Sequence, residues 1–365
     1  MTPAVLALED GSVFLGESFG APVGAEAEVV FNTSMTGYQE IATDPSYRGQ
    51  MVCMTYPLIG NYGVASGDAE ARRPWISGLI VRELAACYSN WRAEGDLDSW
   101  LRREGIPGIH GIDTRALTRR LRVRGALRGV LTGYAGEPDV EELVGRAGRV
   151  KPLGEQDLVS GAAVETRYQL PAGGPAHRVV VMDCGIKQNI LRSLGRRGAE
   201  LIVVPYAATS GEISALRPDG IVISNGPGDP AALPEVAKTV GELMAGDVPI
   251  LGICLGHQLI GLAAGGTTSR LPFGHHGGNH PVRSLADGRV HITSQNHEFQ
   301  VDADSLPRAS GLVISQVNLN DRSVEGLRHA SKPILSVQYH PEGAPGPQDN
   351  QYVFDAFLSQ LRNAR

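Results

Sequence analysis

The sequence predicts an α/β protein in which a C-terminal, doubly wound and mostly parallel sheet follows an N-terminal α+β domain. The chain has 365 residues, more than one typical core of about 100 to 200 residues requires. Beyond residue 177, short apolar runs alternate with helix-like stretches, as in a parallel sheet covered by helices. Residues 160–176 lack periodicity and contain several glycines and prolines. We therefore expect an N-terminal domain over residues 1–150, a linker over 151–176 and a second domain over 177–365.

The first domain opens with a predicted β-hairpin. Residues 5–8 and 13–15 are apolar and flank the pair Asp10-Gly11, which favours a tight turn between two strands. Because the two runs are short and separated by a turn signal, we expect them to pair as antiparallel neighbours.

Capping residues indicate two helices later in the same domain. Asp96 or Asp98 can cap a helix that runs to Arg103. Asp113 can cap a second helix over residues 114–122, which ends near the next glycine. Strand and helix signals together make the first domain α+β.

The second domain contains four short apolar runs that read as buried parallel strands. They occupy residues 179–182, 201–204, 221–223 and 249–251. Residues 188–197 read as one of the intervening helices. Ligands bind such sheets at the carboxyl ends of the strands, so the residues that follow each run are the candidates for a site.

The fourth run leads into a candidate nucleophile. Residues 252–256 read G-I-C-L-G and are followed by a helix-compatible stretch, the strand, turn and helix of a nucleophile elbow with Cys254 at its centre. The glycines suit a sharp turn, and the helix N-terminus favours a thiolate and can hold an oxyanion. Buried, unreactive cysteines are also common at βα turns. The elbow alone leaves both interpretations open.

A second pattern supplies the partners that a thiol nucleophile needs. Residues 334–339 read as a strand that ends in His340, Pro341 and Glu342. A histidine at a strand end can act as the base for a neighbouring cysteine, and a nearby carboxylate can fix its tautomer. Alone, the tripeptide fits a surface turn. Together with the elbow it predicts an amide hydrolase with Cys254, His340 and Glu342 as the catalytic triad.

A third pattern follows the run at 221–223. Residues 224–230 form a turn rich in glycine and proline, including Gly226, Pro227 and Gly228. Its backbone amides can face an oxyanion, although a tight βα loop of no catalytic role has the same composition.

Taken in order, these three patterns resemble the class I, triad-type glutamine amidotransferases. The resemblance implies that Cys254 attacks the side-chain amide of glutamine, that His340 gives a proton to the leaving ammonia, and that water resolves a glutamyl thioester. It also implies an oxyanion hole made by the backbone amides of Gly226 and Leu255, and the doubly wound fold of that class for the second domain.

The first domain narrows the resemblance to the small-subunit family of carbamoyl phosphate synthases. The stretches that carry it are residues 32–40, 43–47, 55–61 and 111–115, with 272–282 and 294–297 in the second domain. The resemblance implies a set of L-glutamine contacts: Ser46, Gly226, Gly228, Leu255, Gln258, Asn296, Glu298 and Phe299. Glu298 stands where the family usually has glycine, so this position requires a backbone conformation that glutamate can adopt.

The same resemblance implies a partner. In this family the small subunit channels ammonia to a large subunit, which binds ATP, Mg²⁺ and bicarbonate and makes carbamoyl phosphate for arginine and pyrimidine biosynthesis. This chain has no Walker-type phosphate loop. We therefore expect no cofactor here, and ATP and Mg²⁺ on the large subunit. The alternatives are a stand-alone glutaminase or cysteine amidase, which needs no preceding domain, and the amidotransferase subunit of another synthetase.

Composition bounds the remaining possibilities. With 33 basic and 39 acidic side chains the net charge is −6, which argues against a nucleic-acid partner. The four cysteines are far apart and suggest neither disulfides nor a zinc site. We find no signal peptide and no long apolar run, and expect a soluble cytoplasmic protein without membrane contact.

Two further clusters have more than one interpretation. His275, His276 and His280 have spacings that metal sites use, but no acidic or thiol ligand accompanies them, so we expect a polar turn and no metal. An arginine-rich run fits a solvated helix face or an acidic protein partner better than a nucleic-acid patch. Its members are Arg115, Arg119, Arg120, Arg122, Arg124 and Arg128.

Overall fold

A computed structural model describes residues 2–172 and 177–363 and separates the chain into two compact units. The first unit is Met1–Gln156 together with Pro272–His276, and the second is Asp157–Leu271 with Gly277–Arg365. The predicted linker over 151–176 is divided between the units in its described part, and its residues 173–176 lie outside the described residues. No helix in the described ranges has both the length and the apolar character needed to span a membrane.

The first unit is a closed barrel with helices around it. Its strands are β1 (Pro3–Leu8), β2 (Val13–Gly20), β3 (Ala25–Asn32), β4 (Gln50–Met54), β5 (Leu58–Ile59), β6 (Gly78–Ile80), β7 (Glu83–Leu84), β8 (Pro107–His110) and β9 (Leu127–Gly133). Its helices are α1 (Tyr38–Thr43), α2 (Leu97–Glu104), α3 (Thr114–Arg124) and α4 (Val140–Arg149). The barrel order is β1-β2-β8-β6-β4-β3-β9, and β5 and β7 form a separate pair.

The predicted hairpin and both predicted helix starts are confirmed. β1 and β2 pair antiparallel around Gly11, whose φ of 86° is the left-handed conformation that glycine adopts freely. Asp96 caps α2 by accepting from the Ser99 amide at 2.7 Å, and Asp113 caps α3 by accepting from the Ala116 amide at 2.9 Å. The second helix runs two residues further than predicted, to Arg124, because the stop comes only at Gly125.

The two faces of β1 pack against different helices, which explains why the strand is apolar without alternation. Leu6 and Leu8 share a buried cluster with Leu117 of α3, whereas Val5 shares one with Leu143 of α4. Burial of both faces requires side chains of one type along the whole strand.

The second unit is a doubly wound α/β sheet with an antiparallel extension. Its strands are β10 (Tyr168–Leu170), β11 (Arg178–Asp183), β12 (Glu200–Pro205), β13 (Gly220–Ile223), β14 (Ile250–Ile253), β15 (Thr268–Ser284), β16 (Val290–Val301), β17 (Leu312–Asn318), β18 (Val324–His329) and β19 (Ile334–Val337). Its helices are α5 (Gln188–Arg196), α6 (Ser210–Ala215), α7 (Pro234–Ala245), α8 (Leu255–Ala263) and α9 (Tyr352–Asn363). The strand order is β10-β12-β11-β13-β14-β19-β18-β17-β15-β16.

The predicted parallel core of this sheet is confirmed. Strands β12, β11, β13, β14 and β19 pair in parallel, in that order. One face packs against α6, α7 and α8 through side chains such as Val240 and Leu259, and the other against α5 and α9 through side chains such as Leu194 and Phe357. The carboxyl ends of β13, β14 and β19 are therefore neighbours at one edge.

Two predictions about irregular segments are wrong. The stretch with His275, His276 and His280 is not a turn but part of strand β15. Its glycines conceal the strand, and Gly274 and Gly277 have φ values of 67° and 148° that regular strands do not use. In addition, residues 168–170 of the expected linker form β10, which is too short for its period to be recognised.

Candidate active site

Cys254 lies at a sharp turn between β14 and α8. Its φ of 52° and ψ of −103° are unusual for a residue with a side chain, and strained backbone of this kind is concentrated at functional sites. The turn is held by its own hydrogen bonds, because the Cys254 amide donates to the Val337 carbonyl at 2.9 Å and the His257 amide donates to the Cys254 carbonyl at 3.0 Å. The sulfur-bearing residue is buried, with 2% of its surface exposed.

The two glycines of the elbow are required by close backbone approaches. A Cβ on Gly256 would lie 2.1 Å from the carbonyl oxygen of Ile223, on the neighbouring strand β13. A Cβ on Gly252 would lie 2.8 Å from the carbonyl oxygen of Gly256. Real Cβ atoms do not approach backbone this closely, so the sharp turn requires glycine at both positions.

Gly256→Ala is expected to destabilise the second unit, because the new methyl group collides with rigid backbone rather than with a movable side chain. We expect the free energy of unfolding to fall by about 1 to 3 kcal/mol or more, measured by urea denaturation. Gly195→Ala in α5 is the matched control, since its Cβ meets nothing within 4 Å. That helical substitution should stabilise the chain by about 0.5 to 1 kcal/mol. Equal stabilities of the two variants would contradict the close-approach argument.

His340 and Glu342 follow β19 and form a buried pair. Nδ1 of His340 lies 2.7 Å from Oε1 of Glu342, and the His340 amide donates to the Ser294 carbonyl at 2.8 Å. Both side chains are almost fully buried. The carboxylate can only accept, so Nδ1 carries a proton and the second ring nitrogen, Nε2, is the one available for proton transfer.

The sulfur of Cys254 lies near the His340 ring. Within the described ranges, Nε2 of His340 has no hydrogen-bond partner, but the Cys254 thiol is close enough to raise the pKa of His340. The thiol also donates to the carbonyl oxygen of Asn296, with 3.5 Å between sulfur and oxygen. The structure therefore brings together all three residues of the predicted triad.

Lys187 is a member of this cluster that the sequence analysis missed. Its Nζ lies 2.8 Å from Oε1 of Glu342, and it donates to the carbonyl of Ala344. The side chain is about 2% exposed, which is rare for lysine without a partner. Lys187 comes soon after the carboxyl end of β11, so the rule that ligands meet at these strand ends could have identified it.

Burial and neighbouring charges act in opposite directions on the pKa values of His340 and Glu342. Burial alone would lower the pKa of His340, but the negative charge of Glu342 and the hydrogen bonds outweigh it, and the pKa is raised. Burial alone would raise the pKa of Glu342, but the charges of Lys187 and His340 outweigh it, and the pKa is lowered. At neutral pH the pair is therefore an imidazolium and a carboxylate.

The shifted pKa values of His340 and Glu342 make the stability of the fold depend on pH in opposite directions. The raised pKa of His340 contributes stability that is complete below its ordinary value of 6.5 and is lost as the pH rises through the folded-state value. The lowered pKa of Glu342 contributes stability that is complete above its ordinary value of 4.5 and is lost on acidification. Both contributions are complete together only between pH 4.5 and 6.5.

Glu342→Gln is expected to lower the pKa of His340 below its ordinary value of 6.5. The substitution removes the attraction that holds the proton, and burial together with the positive charge of Lys187 then favours the neutral ring. The measurement is an NMR titration of the imidazole nitrogens. Glu212→Gln, at an exposed helix cap, is the control and should leave the titration unchanged. A His340 pKa that stays raised in Glu342→Gln would contradict this account of the pair.

A second histidine beside the elbow does not compete with His340. His257 is fully buried in the first turn of α8, and its Nδ1 contacts the Ser336 hydroxyl at 2.9 Å. Burial lowers its pKa to about 3, so the ring is neutral at physiological pH. Its role in the elbow is packing and one hydrogen bond.

The glycine-rich loop after β13 is closely packed and lies beside the elbow, since the Gly256 amide donates to the Ser224 carbonyl at 3.0 Å. A Cβ on Gly226 would lie 2.2 Å from the Cys184 carbonyl, and Gly228 has a φ of 91°. The Ser224 hydroxyl accepts from the Cys184 amide at 2.9 Å. Among the described residues, neither the Gly226 amide nor the Leu255 amide donates to a backbone carbonyl. Two amides without backbone partners are what an oxyanion hole requires.

The remaining predicted glutamine contacts fall in both units. Gln258 is buried, and its Nε2 donates to the Phe299 carbonyl at 2.8 Å and to Oε1 of Gln338 at 3.1 Å. Ser46 belongs to the first unit, in a short 3₁₀ turn where its amide donates to Asp44 at 2.9 Å. Their contact with glutamine stays a prediction, as it does for Gly226, Gly228, Leu255, Asn296, Glu298 and Phe299.

Glu298 occupies a position where the family usually has glycine, but its backbone conformation is one that glutamate adopts readily. Glu298 lies in strand β16 and is not among the residues with positive φ, so glutamate is accommodated without backbone strain. Its carboxylate is buried and lies 3.5 Å from a guanidinium nitrogen of Arg270. The backbone conformation of this chain therefore does not require the glycine that the family usually has at this position.

Comparison with known proteins finds two families, one in the N-terminal part of the chain and one in the C-terminal part. Residues 6–131 match the family described as "Carbamoyl-phosphate synthase small chain, CPSase domain", and residues 180–360 match "Glutamine amidotransferase class-I". A carbamoyl phosphate synthase small chain of Symbiobacterium thermophilum is 50% identical over 96% of this chain and 97% of its own length. A carbamoyl phosphate synthase small chain of Methanopyrus kandleri is 51% identical over 98% of this chain and 99% of its own length.

Proposed function

The chain belongs to the family of carbamoyl phosphate synthase small chains, and we propose that it hydrolyses glutamine at Cys254 and delivers the ammonia to a separate synthetase chain. It is a glutamine amidotransferase subunit with its small-chain domain first. The observation that carries the catalytic proposal is the buried cluster in which His340, held at 2.7 Å by Glu342, interacts with the thiol of a strained elbow. This is the arrangement of an activated nucleophile with its base and orienting group.

The first half of the reaction forms a thioester. The Cys254 thiol gives its proton to Nε2 of His340, and the resulting thiolate, beside the imidazolium, attacks the side-chain carbonyl carbon of glutamine. The carbonyl oxygen becomes an oxyanion, which the amides of Gly226 and Leu255 stabilise. The carbon to nitrogen bond then breaks as His340 gives its proton from Nε2 to the nitrogen. Ammonia leaves, and the glutamyl group remains on sulfur.

The second half returns the enzyme to its starting state. The neutral His340 takes a proton from water, and the water oxygen attacks the thioester carbon. Collapse of the tetrahedral intermediate breaks the carbon to sulfur bond and releases glutamate and the Cys254 thiolate. Glu342 and Lys187 touch no reacting atom. They hold the imidazole in one orientation and one tautomer throughout.

The substrate contacts are proposed by family position and supported by local geometry. Gln258 and Asn296 both hydrogen-bond with Cys254, since the Gln258 backbone amide donates to the Cys254 carbonyl at 3.2 Å and the Asn296 carbonyl accepts from the thiol at 3.5 Å. Phe299 and Glu298 follow Asn296 on β16, and Ser46 and Gly228 complete the set. Burial of Gln258, Asn296, Glu298 and Phe299 restricts their side chains, which favours one position of the amide carbon relative to sulfur.

The synthetic chemistry is assigned to the partner. Carbamoyl phosphate synthesis needs ATP, Mg²⁺ and bicarbonate, and this sequence has no Walker-type loop to hold a nucleotide. We assign these ligands to the large chain and no cofactor to this one. The product supplies arginine and pyrimidine biosynthesis. Four free cysteines suit the reducing cytoplasm, where we place the complex.

Reconstitution with the large chain tests the proposal. The isolated chain should release glutamate from glutamine slowly, and addition of the large chain with ATP, Mg²⁺ and bicarbonate should accelerate that release and yield carbamoyl phosphate. A chain that hydrolyses glutamine at full rate alone, and neither binds nor responds to a large chain, would be a stand-alone glutaminase. Synthesis of a different product with another synthetase would favour the other alternative.

A further inference from the structure

Helix α3 carries an unusual concentration of positive charge for a chain whose net charge is −6. The helix contains five arginines and no acidic residue. In the described part of the chain, Arg120 alone among them has a carboxylate within ion-pair distance, that of Asp10. The members without a carboxylate partner are Arg115, Arg119, Arg122 and Arg124.

The charges lie on a face that is turned away from the core. Leu117 and Leu121 are buried against the barrel, whereas Ala116 and Arg119 are exposed on the opposite side. Val123, one turn beyond Arg119, is 81% exposed, so an apolar side chain stands within the charged stripe. Residues at these spacings are neighbours on one helix surface.

This face and the first hairpin form an open groove of about 560 Å³. The hairpin contributes an apolar wall, and the helix contributes a basic one. The residues that line the groove include Val13, Phe14, Arg119, Val123 and Arg124. A groove with both properties can bind a surface that presents carboxylates around an apolar side chain.

The like charges oppose one another in the isolated chain. Arg115 and Arg119 are one helical turn apart, as are Arg120 and Arg124, and like charges at this spacing destabilise a helix. Carboxylates from outside would relieve that repulsion, and guanidinium groups bind them through paired hydrogen bonds. The sequence thus maintains a repulsive arrangement that a partner can turn into an attractive one.

We propose that this face of α3 is a docking surface for an acidic, apolar-centred face of the large chain. The inference rests on the proposed function for the identity of the partner. A protein surface fits better than nucleic acid, because the overall charge of −6 repels a polyanion at long range and because exposed Val123 and half-buried Val13 offer it no phosphate contact.

Charge reversal on the helix tests the proposal in the intact chain. Dissociation constants for the large chain of the same organism would be measured by calorimetry for wild type, Arg119→Glu and Arg124→Glu at low and at high salt. We expect each variant to bind at least tenfold more weakly, with a smaller dependence on salt. Arg103→Glu, at an exposed helix position in the same unit, is the matched control and should bind within about twofold of wild type.

A second pair of variants tests the apolar centre. Val123→Asp should weaken binding at least tenfold, and Val123→Leu should not. Unchanged melting temperatures and unchanged glutamine hydrolysis by each isolated variant would exclude misfolding as the cause. Wild-type affinity and salt dependence in Arg119→Glu and Arg124→Glu would overturn the inference while leaving the proposed function intact. Binding of a duplex oligonucleotide that these variants abolish would overturn it in favour of nucleic acid. A wild-type chain that binds no large chain would overturn both proposals.

Discussion

Cys254→Ser is expected to reduce glutamine-dependent carbamoyl phosphate synthesis by at least about a thousandfold. Serine fits the same turn, but a hydroxyl does not ionise beside an imidazolium as a thiol does, so the attacking anion is lost. We expect little change in stability, because the serine oxygen is only slightly smaller than the cysteine sulfur. In addition, Cys254 makes only a weak hydrogen bond to Asn296. The measurement is glutamate release together with carbamoyl phosphate formation in the reconstituted complex.

Ammonia-dependent synthesis separates loss of the nucleophile from loss of the complex. With ammonium salt in place of glutamine, the complex of Cys254→Ser should retain wild-type synthesis, because the large chain carries out that chemistry. Cys87→Ser is the matched control, since Cys87 is also a free cysteine but is exposed in the first unit. It should retain both activities. Glutamate release by Cys254→Ser at the wild-type rate would show that another group is the nucleophile.

Local signals in the sequence were sufficient for part of the fold. The hairpin around Gly11, the caps Asp96 and Asp113, and the apolar runs of the parallel sheet depend on interactions between residues close in the chain. Backbone conformation and side-chain period express such interactions directly. The same reasoning explained the elbow glycines, because a strand that turns at once into a helix brings its backbone against its neighbours.

Features that depend on distant contacts were not predictable in this way. Pro272–His276 belong to the first unit, where Phe273 stacks on Phe31 with ring centroids 6.1 Å apart and the His276 carbonyl accepts from the Thr33 amide at 3.2 Å. No period in these residues indicates a partner more than 200 positions earlier. The histidines of β15 were misread for the same reason, since pairing across a sheet rather than local pattern defines that strand.

The candidate site likewise contains residues that local sequence signals predict and features that only the folded structure reveals. The positions of Cys254, His340 and Glu342 were predicted because each follows an apolar strand whose carboxyl end is expected at one edge of the sheet. Lys187 follows such a strand too, but its importance depends on the depth of burial and on the distance of 2.8 Å to Glu342. Both quantities belong to the folded state. The unusual φ of 52° at Cys254 likewise follows from the packing of the turn and not from its composition.

His340→Asn is expected to reduce glutamine hydrolysis by about a hundredfold to ten-thousandfold. This is the usual contribution of a side chain that acts as both general base and general acid. Asparagine can neither take the thiol proton nor give one to the leaving nitrogen. The loss should appear in kcat, with little change in KM, because His340 contacts sulfur rather than the binding portion of the substrate. Rates of glutamate release across the pH range from 5 to 10 would show a flat, low profile, whereas wild type loses activity as the pH rises through the raised pKa of His340.

The variant should fold, which makes its activity informative. Removal of the imidazolium does not leave Glu342 as an uncompensated buried charge, because Lys187 remains 2.8 Å from the same carboxylate oxygen. Ammonia-dependent synthesis in the reconstituted complex should therefore be normal. His291→Asn is the matched control, since that ring lies against Tyr352, with centroids 5.1 Å apart, and takes no part in the cluster. Hydrolysis by His340→Asn within tenfold of wild type would mean that another group transfers the protons, and a combined loss of ammonia-dependent synthesis would mean that His340 supports the complex rather than the reaction.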